Sequence, residues 1–128
     1  MRIFATIISL LLLSFASASG QSDTPQGPQM RLEVASHDFG TMQQGGEKVS
    51  FDFEFTNDGT APLIITNAKN SCRCISVTYP KRPVKAGDKG VVKVTFDPKD
   101  KGVFHKAVEI HGNLTGGHLT LIVKGEVK

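Results

Sequence analysis

Residues 48–56 read Lys-Val-Ser-Phe-Asp-Phe-Glu-Phe-Thr. Val49, Phe51, Phe53 and Phe55 occupy every second position, with Ser50, Asp52, Glu54 and Thr56 alternating around them. An extended chain sends successive side chains to opposite faces, so this stretch is a strand with one apolar and one wet face. A helix would scatter the three phenylalanines around its circumference. The period recurs along the chain. Leu32-Glu33-Val34 is a shorter alternation, and Leu63 to Thr66 is a short apolar run behind Pro62. Residues 74–79 (CISVTY) alternate until Pro80 stops them, and residues 91–96 carry Val92, Val94 and Phe96 on one face. Residues 102–111 turn Phe104, Val108 and Ile110 inward, and Leu119, Leu121 and Val123 form a last strand. Lys106 shares the inward face of its strand, which predicts an edge position there. Asn57-Asp58-Gly59-Thr60, residues 80–89 and residues 112–117 supply turn residues between the runs.

No stretch shows helical periodicity. About seven short strands in about 100 residues, with turns every ten or so, predict an all-β fold: a seven-stranded immunoglobulin-like antiparallel β-sandwich. A small closed barrel is the alternative. The chain has no Trp, so the Cys…Trp…Cys hallmark of antibody domains is missing. The predicted core sets Val49, Phe51, Phe53 and Phe55 opposite Val92, Val94, Phe96, Val108, Ile110, Leu119, Leu121 and Val123.

The amino terminus is of a different kind. Arg2 is the only charge before Asp23, residues 3–15 are mostly Ile, Leu and Phe, and Ala16-Ser17-Ala18 follows as a small-x-small site. These are the three regions of a secretory signal peptide, assigned to residues 1–18. The apolar run is shorter than the roughly 18 to 20 residues that cross a bilayer, so no membrane span is expected after cleavage. No cysteine follows it, which excludes a lipid-anchored lipoprotein. Residues 19–30, rich in Ser, Gln, Gly and Pro, read as a flexible linker, and residues 31–128 as the folded domain. The expected localisation is secreted or periplasmic. Amino-terminal sequencing of the exported protein should read from Ser19 or within a few residues of it; a sequence starting at Met1 would refute the cleavage.

Composition narrows function by exclusion. With 39% hydrophobic, 7% aromatic and 21% charged residues, disorder, collagen and coiled coil are excluded. The net charge of +3, from 15 Lys+Arg against 12 Asp+Glu, is too small and too evenly spread for a nucleic-acid partner.

Ser71-Cys72-Arg73-Cys74 is the one reactive constellation. Export carries both thiols into an oxidising compartment, where a pair tends to close as a disulfide. Two residues apart on a strand, their Cα atoms would lie about 6.6 Å apart, at the far end of what a disulfide accepts, so closure needs a local bend. Such a bond would be strained and easily reduced. A redox-active or metal-binding dithiol is the other reading: Arg73 favours thiolate, and thiolates are soft ligands. Two ligands are too few for a metal site, so none is assigned. His37-Asp38-Phe39-Gly40 could offer an acid–base pair, but neighbours on an extended backbone point to opposite faces, which favours a structural role. His105, His111 and His118 fall at strand ends or on wet faces. No Ser/His/Asp spacing, phosphate loop or paired-carboxylate motif is present, and no cofactor is expected. Lys81, Arg82, Lys85 and Lys89 form a basic loop suited to weak attraction to anionic glycan or lipid headgroups. Asn113-Leu114-Thr115 matches a glycosylation sequon, of consequence only in a eukaryotic source.

Taken in order, several motifs resemble one family. They are His37-Asp38-Phe39-Gly40-Thr41, Phe53-Glu54-Phe55-Thr56-Asn57-Asp58-Gly59, Pro62-Leu63, Ser71-Cys72-Arg73-Cys74 and Val94-Thr95-Phe96-Asp97. Gly102-Val103-Phe104 with Lys106, and Lys124-Gly125-Glu126-Val127, complete the set. The chain resembles the domain-of-unknown-function 1573 family over residues 31–128. The resemblance implies a small exported protein of a kind abundant in Bacteroidetes, with an immunoglobulin-like fold related to Hydin and major-sperm-protein domains. It implies no activity. The family commonly carries Gly between the two cysteines, where this chain has Arg73, and Arg makes a left-handed turn costlier.

The expectation is an exported, non-catalytic immunoglobulin-like module, not an enzyme, that binds a protein or glycan in the bacterial envelope. The alternative is a thiol redox or metal-handling protein using Cys72 and Cys74.

Overall fold

The computed structural model describes residues 27–128; the expected signal peptide and residues 19–26 of the linker lie outside the described residues. Eight strands follow in order: β1 (Arg31–Leu32), β2 (Ser36–Met42), β3 (Val49–Thr56), β4 (Ile65–Asn70), β5 (Ile75–Thr78), β6 (Lys89–Phe96), β7 (Gly102–Gly112) and β8 (His118–Val127). They form two four-stranded sheets, ordered β1-β3-β6-β5 and β2-β8-β7-β4. The described residues are therefore an all-β immunoglobulin-like sandwich, with eight strands where periodicity suggested seven. The extra element is β2, which lies beyond the Leu32-Glu33-Val34 alternation. The chain pairs briefly with β3 at Arg31 and Leu32, then crosses to the other sheet as β2.

One pairing departs from the all-antiparallel expectation. β2 runs parallel to β8, with His37 opposite Val123 and Met42 opposite Val127. Parallel neighbours need a long crossover, and here the whole intervening sandwich supplies it. The ladder is interrupted between Asp38 and Thr41, where Gly40 takes φ 73°, a left-handed backbone. Asp38 Oδ1 accepts the Gly40 amide at 2.8 Å and holds that bend.

The core lies between the sheets. Phe53, Phe55, Val92, Val94, Val108, Ile110, Leu121 and Val123 are buried, with Phe96, Phe104 and Val127 beside them. Val49, Phe51 and Leu119, expected inside, are half-buried. Val92, Val94 and Phe96 do not face the phenylalanine row. They flank it in the same sheet, with Phe53 opposite Val92 and Phe51 opposite Val94. The facing wall comes from β7 and β8, and Phe96 stacks on Phe104 across the gap at 3.9 Å between ring centroids. At Phe55 the partner is Gly90, and a Cβ there would stand 2.5 Å from the ring. That glycine is the space the Phe55 ring occupies.

The linker is shorter than its composition indicated. Met30 is buried, Gly27 N–H donates to Thr60 Oγ1, Gln29 N–H donates to Asn57 Oδ1, and Thr115 N–H donates to Pro28 O. Residues 27–30 thus belong to the domain. Their Gly and Pro content resembles a tether, but backbone bonds to loops far along the chain hold them.

Candidate functional site

β4 leaves one sheet at Asn70 and β5 enters the other at Ile75, so residues 71–74 carry the chain across the open side of the sandwich. Sequence reading placed Cys72 and Cys74 two apart on one strand. They stand instead in this crossover turn, with Cα atoms 5.2 Å apart and the disulfide closed. The turn supplies the bend that a strand would lack. Asn70 Oδ1 accepts the Cys72 amide at 3.0 Å, Ile75 N–H donates to Cys72 O at 3.3 Å, and Asp97 N–H donates to Cys74 O at 2.8 Å. No described residue other than glycine has a positive φ, so Arg73 makes the turn without a left-handed backbone. The ring closed between neighbours this near restricts the unfolded chain by roughly 1.6 kcal/mol at most in the loop-entropy picture. That is small beside the effect of burying one aromatic core residue.

Both cysteines are half-buried and line a cleft of about 200 Å³ with Phe96, Asp97, Lys101 and Lys106. The volume is below that of ordinary small-ligand pockets, roughly 300 to 1,000 Å³, and suits an entering side chain. The cleft exists because β4 ends early. Its last pair is Asn70 with Val108, whereas β7 begins at Gly102. Residues 102–107 therefore pair with β8 on one side and have no strand on the other. Lys106 sits in this gap. β7 is an interior strand of its sheet, yet at Lys106 it is a local edge, and that resolves a cation on an otherwise apolar face. Val103, beside it, is 81% exposed. Asp97 pairs with Lys99 at 3.6 Å, while Lys101 and Lys106 have no carboxylate within ion-pair distance among the described residues.

The other candidates are structural. His37 stacks on Phe51 with centroids 3.8 Å apart, and Asp38 is engaged with Gly40, so the two do not form an acid–base pair. His111 Nε2 lies 3.0 Å from Glu109 Oε2, and that hydrogen bond holds the exposed Glu109 carboxyl below its ordinary value. His118 stacks on His111 at 5.4 Å, and His105 is exposed. Among the described residues, no group of three or more His, Cys, Asp or Glu could hold a metal ion, and no helix is long and apolar enough to cross a membrane. Lys81, Arg82, Lys85 and Lys89 are exposed, and the Lys81 ammonium lies 3.7 Å from the Tyr79 ring centroid. Buried Val84 pins this loop by a two-way backbone bridge to Leu63. In the sequon, Asn113 Nδ2 donates to Pro62 O and its Oδ1 accepts the Ile64 amide, so a glycan would be attached to a nitrogen already engaged with the backbone.

Sequence reading missed one residue. Asn57 looked like a turn former, but it is the one buried polar side chain among the described residues. Its Nδ2 donates to Ala61 O and Val84 O, and its Oδ1 accepts from the amides of Gln29 and Gly59. Its position directly after an alternating apolar strand is the available signal, since the next residue in phase after Phe53 and Phe55 is inward.

Solved structures with the same fold are distant in sequence. A Porphyromonas gingivalis protein of unknown function matches with TM-score 0.68 and 19% identity over 85% of this chain; the chain spans 51% of that protein. The PapD-like domain 7 of human CEP192 matches with TM-score 0.64 and 13% identity, covering 91% of this chain and 96% of that one. WR4, a major-sperm-protein family member of Caenorhabditis elegans, matches with TM-score 0.51 and 14% identity, covering 80% of this chain and 100% of that one. No match was found among curated protein sequences. At these identities the likeness shows the fold. A family profile described as "Protein of unknown function (DUF1573)" matches residues 30–127, nearly the whole described domain, and the chain belongs to that family.

Proposed function

We propose that this chain is an exported, non-catalytic immunoglobulin-like module that binds an envelope protein by accepting an extended segment along β7. The observation that carries this reading is the bare edge at residues 102–107, left where β4 departs after Asn70. An unpaired strand edge offers a row of amides and carbonyls, and adding a strand satisfies them. Native sheets usually blunt such edges, and Lys106 does so against a second copy of this chain: Lys101 and Lys106 would meet their like. The same cations attract a segment bearing Asp or Glu, and Val103 offers it an apolar contact. The signal-peptide pattern supports the envelope as the place of action.

Photocrosslinking in the exporting cells tests this. A photoreactive residue at position 103 should capture one discrete protein, and Ala107→Pro, which distorts the free edge, should abolish the product while secretion persists. Capture of glycan in place of protein, or equal capture from position 52 on β3, would overturn the reading.

A further inference from the structure

The geometry points to the Cys72–Cys74 disulfide as a thiol-exchange site with built-in direction, in which Cys74 takes the incoming thiolate and Cys72 leaves. The two sulfurs are not equivalent. The Cys74 amide donates to Cys72 Sγ at 3.3 Å, and no described donor is directed at Cys74 Sγ. A backbone N–H aimed at a sulfur stabilises its thiolate. The turn itself fixes that amide, through Cys74 O accepting Asp97 N–H and Cys72 O accepting Ile75 N–H, so the donor stays in place when the sulfurs separate. Lys101 and Lys106 line the same cleft together with Asp97 and Asp100, so its charges balance, and Arg73 is exposed between the cysteines. The Cys74 amide lowers the cost of a thiolate on Cys72, and a leaving thiol of lower pKa leaves faster.

The cleft also admits a reagent. Both cysteines face its roughly side-chain-sized space, and the exposed Val103 stands at its rim. The substrate is a thiol, on an exported dithiol protein or on a small molecule. The thiolate attacks Cys74 Sγ, a new sulfur–sulfur bond forms there, and the Sγ–Sγ electron pair departs on Cys72. The partner's second thiol then attacks the mixed disulfide and releases Cys74. The partner dithiol is oxidised to a disulfide by two electrons, and its two protons end on Cys72 and Cys74. This chemistry stands apart from strand addition, because a small thiol reaches the cleft with no partner bound.

Reduced glutathione and dithiothreitol serve as probes on the oxidised mature chain. Millimolar dithiothreitol should open the bond in the native fold. Acid-quenched reaction with glutathione should place the adduct on Cys74. Iodoacetamide at pH 6 should modify Cys72 in the Cys74→Ser variant about tenfold faster than Cys74 in the Cys72→Ser variant, matching about one unit of thiol acidity. Lys106→Gln, in a cleft that both sulfurs line, should leave that ratio unchanged. The double Cys→Ser chain should stay folded and secreted, as a ring this small implies. A bond that resists millimolar dithiothreitol, an adduct on Cys72, equal alkylation rates, or collapse of the double variant would each overturn the assignment. None of these outcomes bears on crosslinking at position 103, so the two readings fail separately.

Discussion

Asn57→Ala should cost about 3 to 5 kcal/mol and lower the melting temperature by roughly 15 to 30 °C. The side chain makes four hydrogen bonds: to Ala61 O at 2.8 Å, to Val84 O at 2.9 Å, from Gln29 N–H at 3.2 Å and from Gly59 N–H at 3.1 Å. Alanine removes all four and leaves two carbonyls and two amides to find other partners. A buried group left unpaired costs about 1 to 3 kcal/mol, and the partly exposed ones recover some of it from water. The damage spreads because these partners lie on three segments outside the named strands: residues 27–30, the turn after β3, and the loop before β6. Asn57 also accepts Gly87 N–H and donates to Asp88 O through its own backbone, so alanine leaves those bonds but loses the side-chain clamp. Asn57→Asp keeps the shape, replaces the Nδ2 donors and buries a carboxylate against two carbonyls. Its folded-state pKa is raised, so the variant should lose further stability as pH rises from 4 to 7. Urea unfolding at the two pH values checks both; a loss under about 1 kcal/mol for Asn57→Ala would show that the network does not hold these loops.

The same residue shows what a single chain reveals to inspection and what it conceals. Alternation at residues 49–55 exposes a strand and its inner face because side-chain direction is a local property with period two. It does not reveal which sheet a neighbouring strand joins, so alternation alone sets Val92, Val94 and Phe96 across the core, whereas they share a sheet with Phe53. Strand direction is likewise invisible to alternation, and the parallel β2–β8 pair follows from where the amino-terminal segment enters. Lys106 was legible as an edge cation. The reason for the edge was not, because it depends on β4 ending six residues short of the start of β7. Cys72 and Cys74 were legible as a pair, and their placement in a crossover turn was not, since Ile75 to Thr78 continue the alternation that Cys74 begins. Residues 27–30 failed for a related reason. Gly, Pro and Gln describe a tether by composition, and the bonds that hold them come from Asn57, Thr60 and Thr115, far along the chain.

Phe53→Ala should destabilise the fold by about 3 to 5 kcal/mol, and Phe51→Ala by clearly less, about 1 to 2 kcal/mol. The two residues look identical in the sequence: each is a phenylalanine on the inner face of β3 with a charged neighbour. The sandwich separates them. Phe53 is 0% exposed, at the middle of the strand with Val92 beside it and the facing sheet over it. Alanine there empties a ring-sized space that surrounding strands cannot close without moving their hydrogen-bonded ladders, so both the transfer cost and the cavity cost apply. Phe51 is half-buried, and its outer cover is His37, stacked at 3.8 Å. A ring that lies against an imidazole at the margin can be replaced by a shift of that imidazole and by water. Equilibrium unfolding of the two variants in urea, with unchanged slope, measures the difference directly. Equal losses would mean that the core extends to the margin and that β2 seals the sandwich as tightly as β6 does.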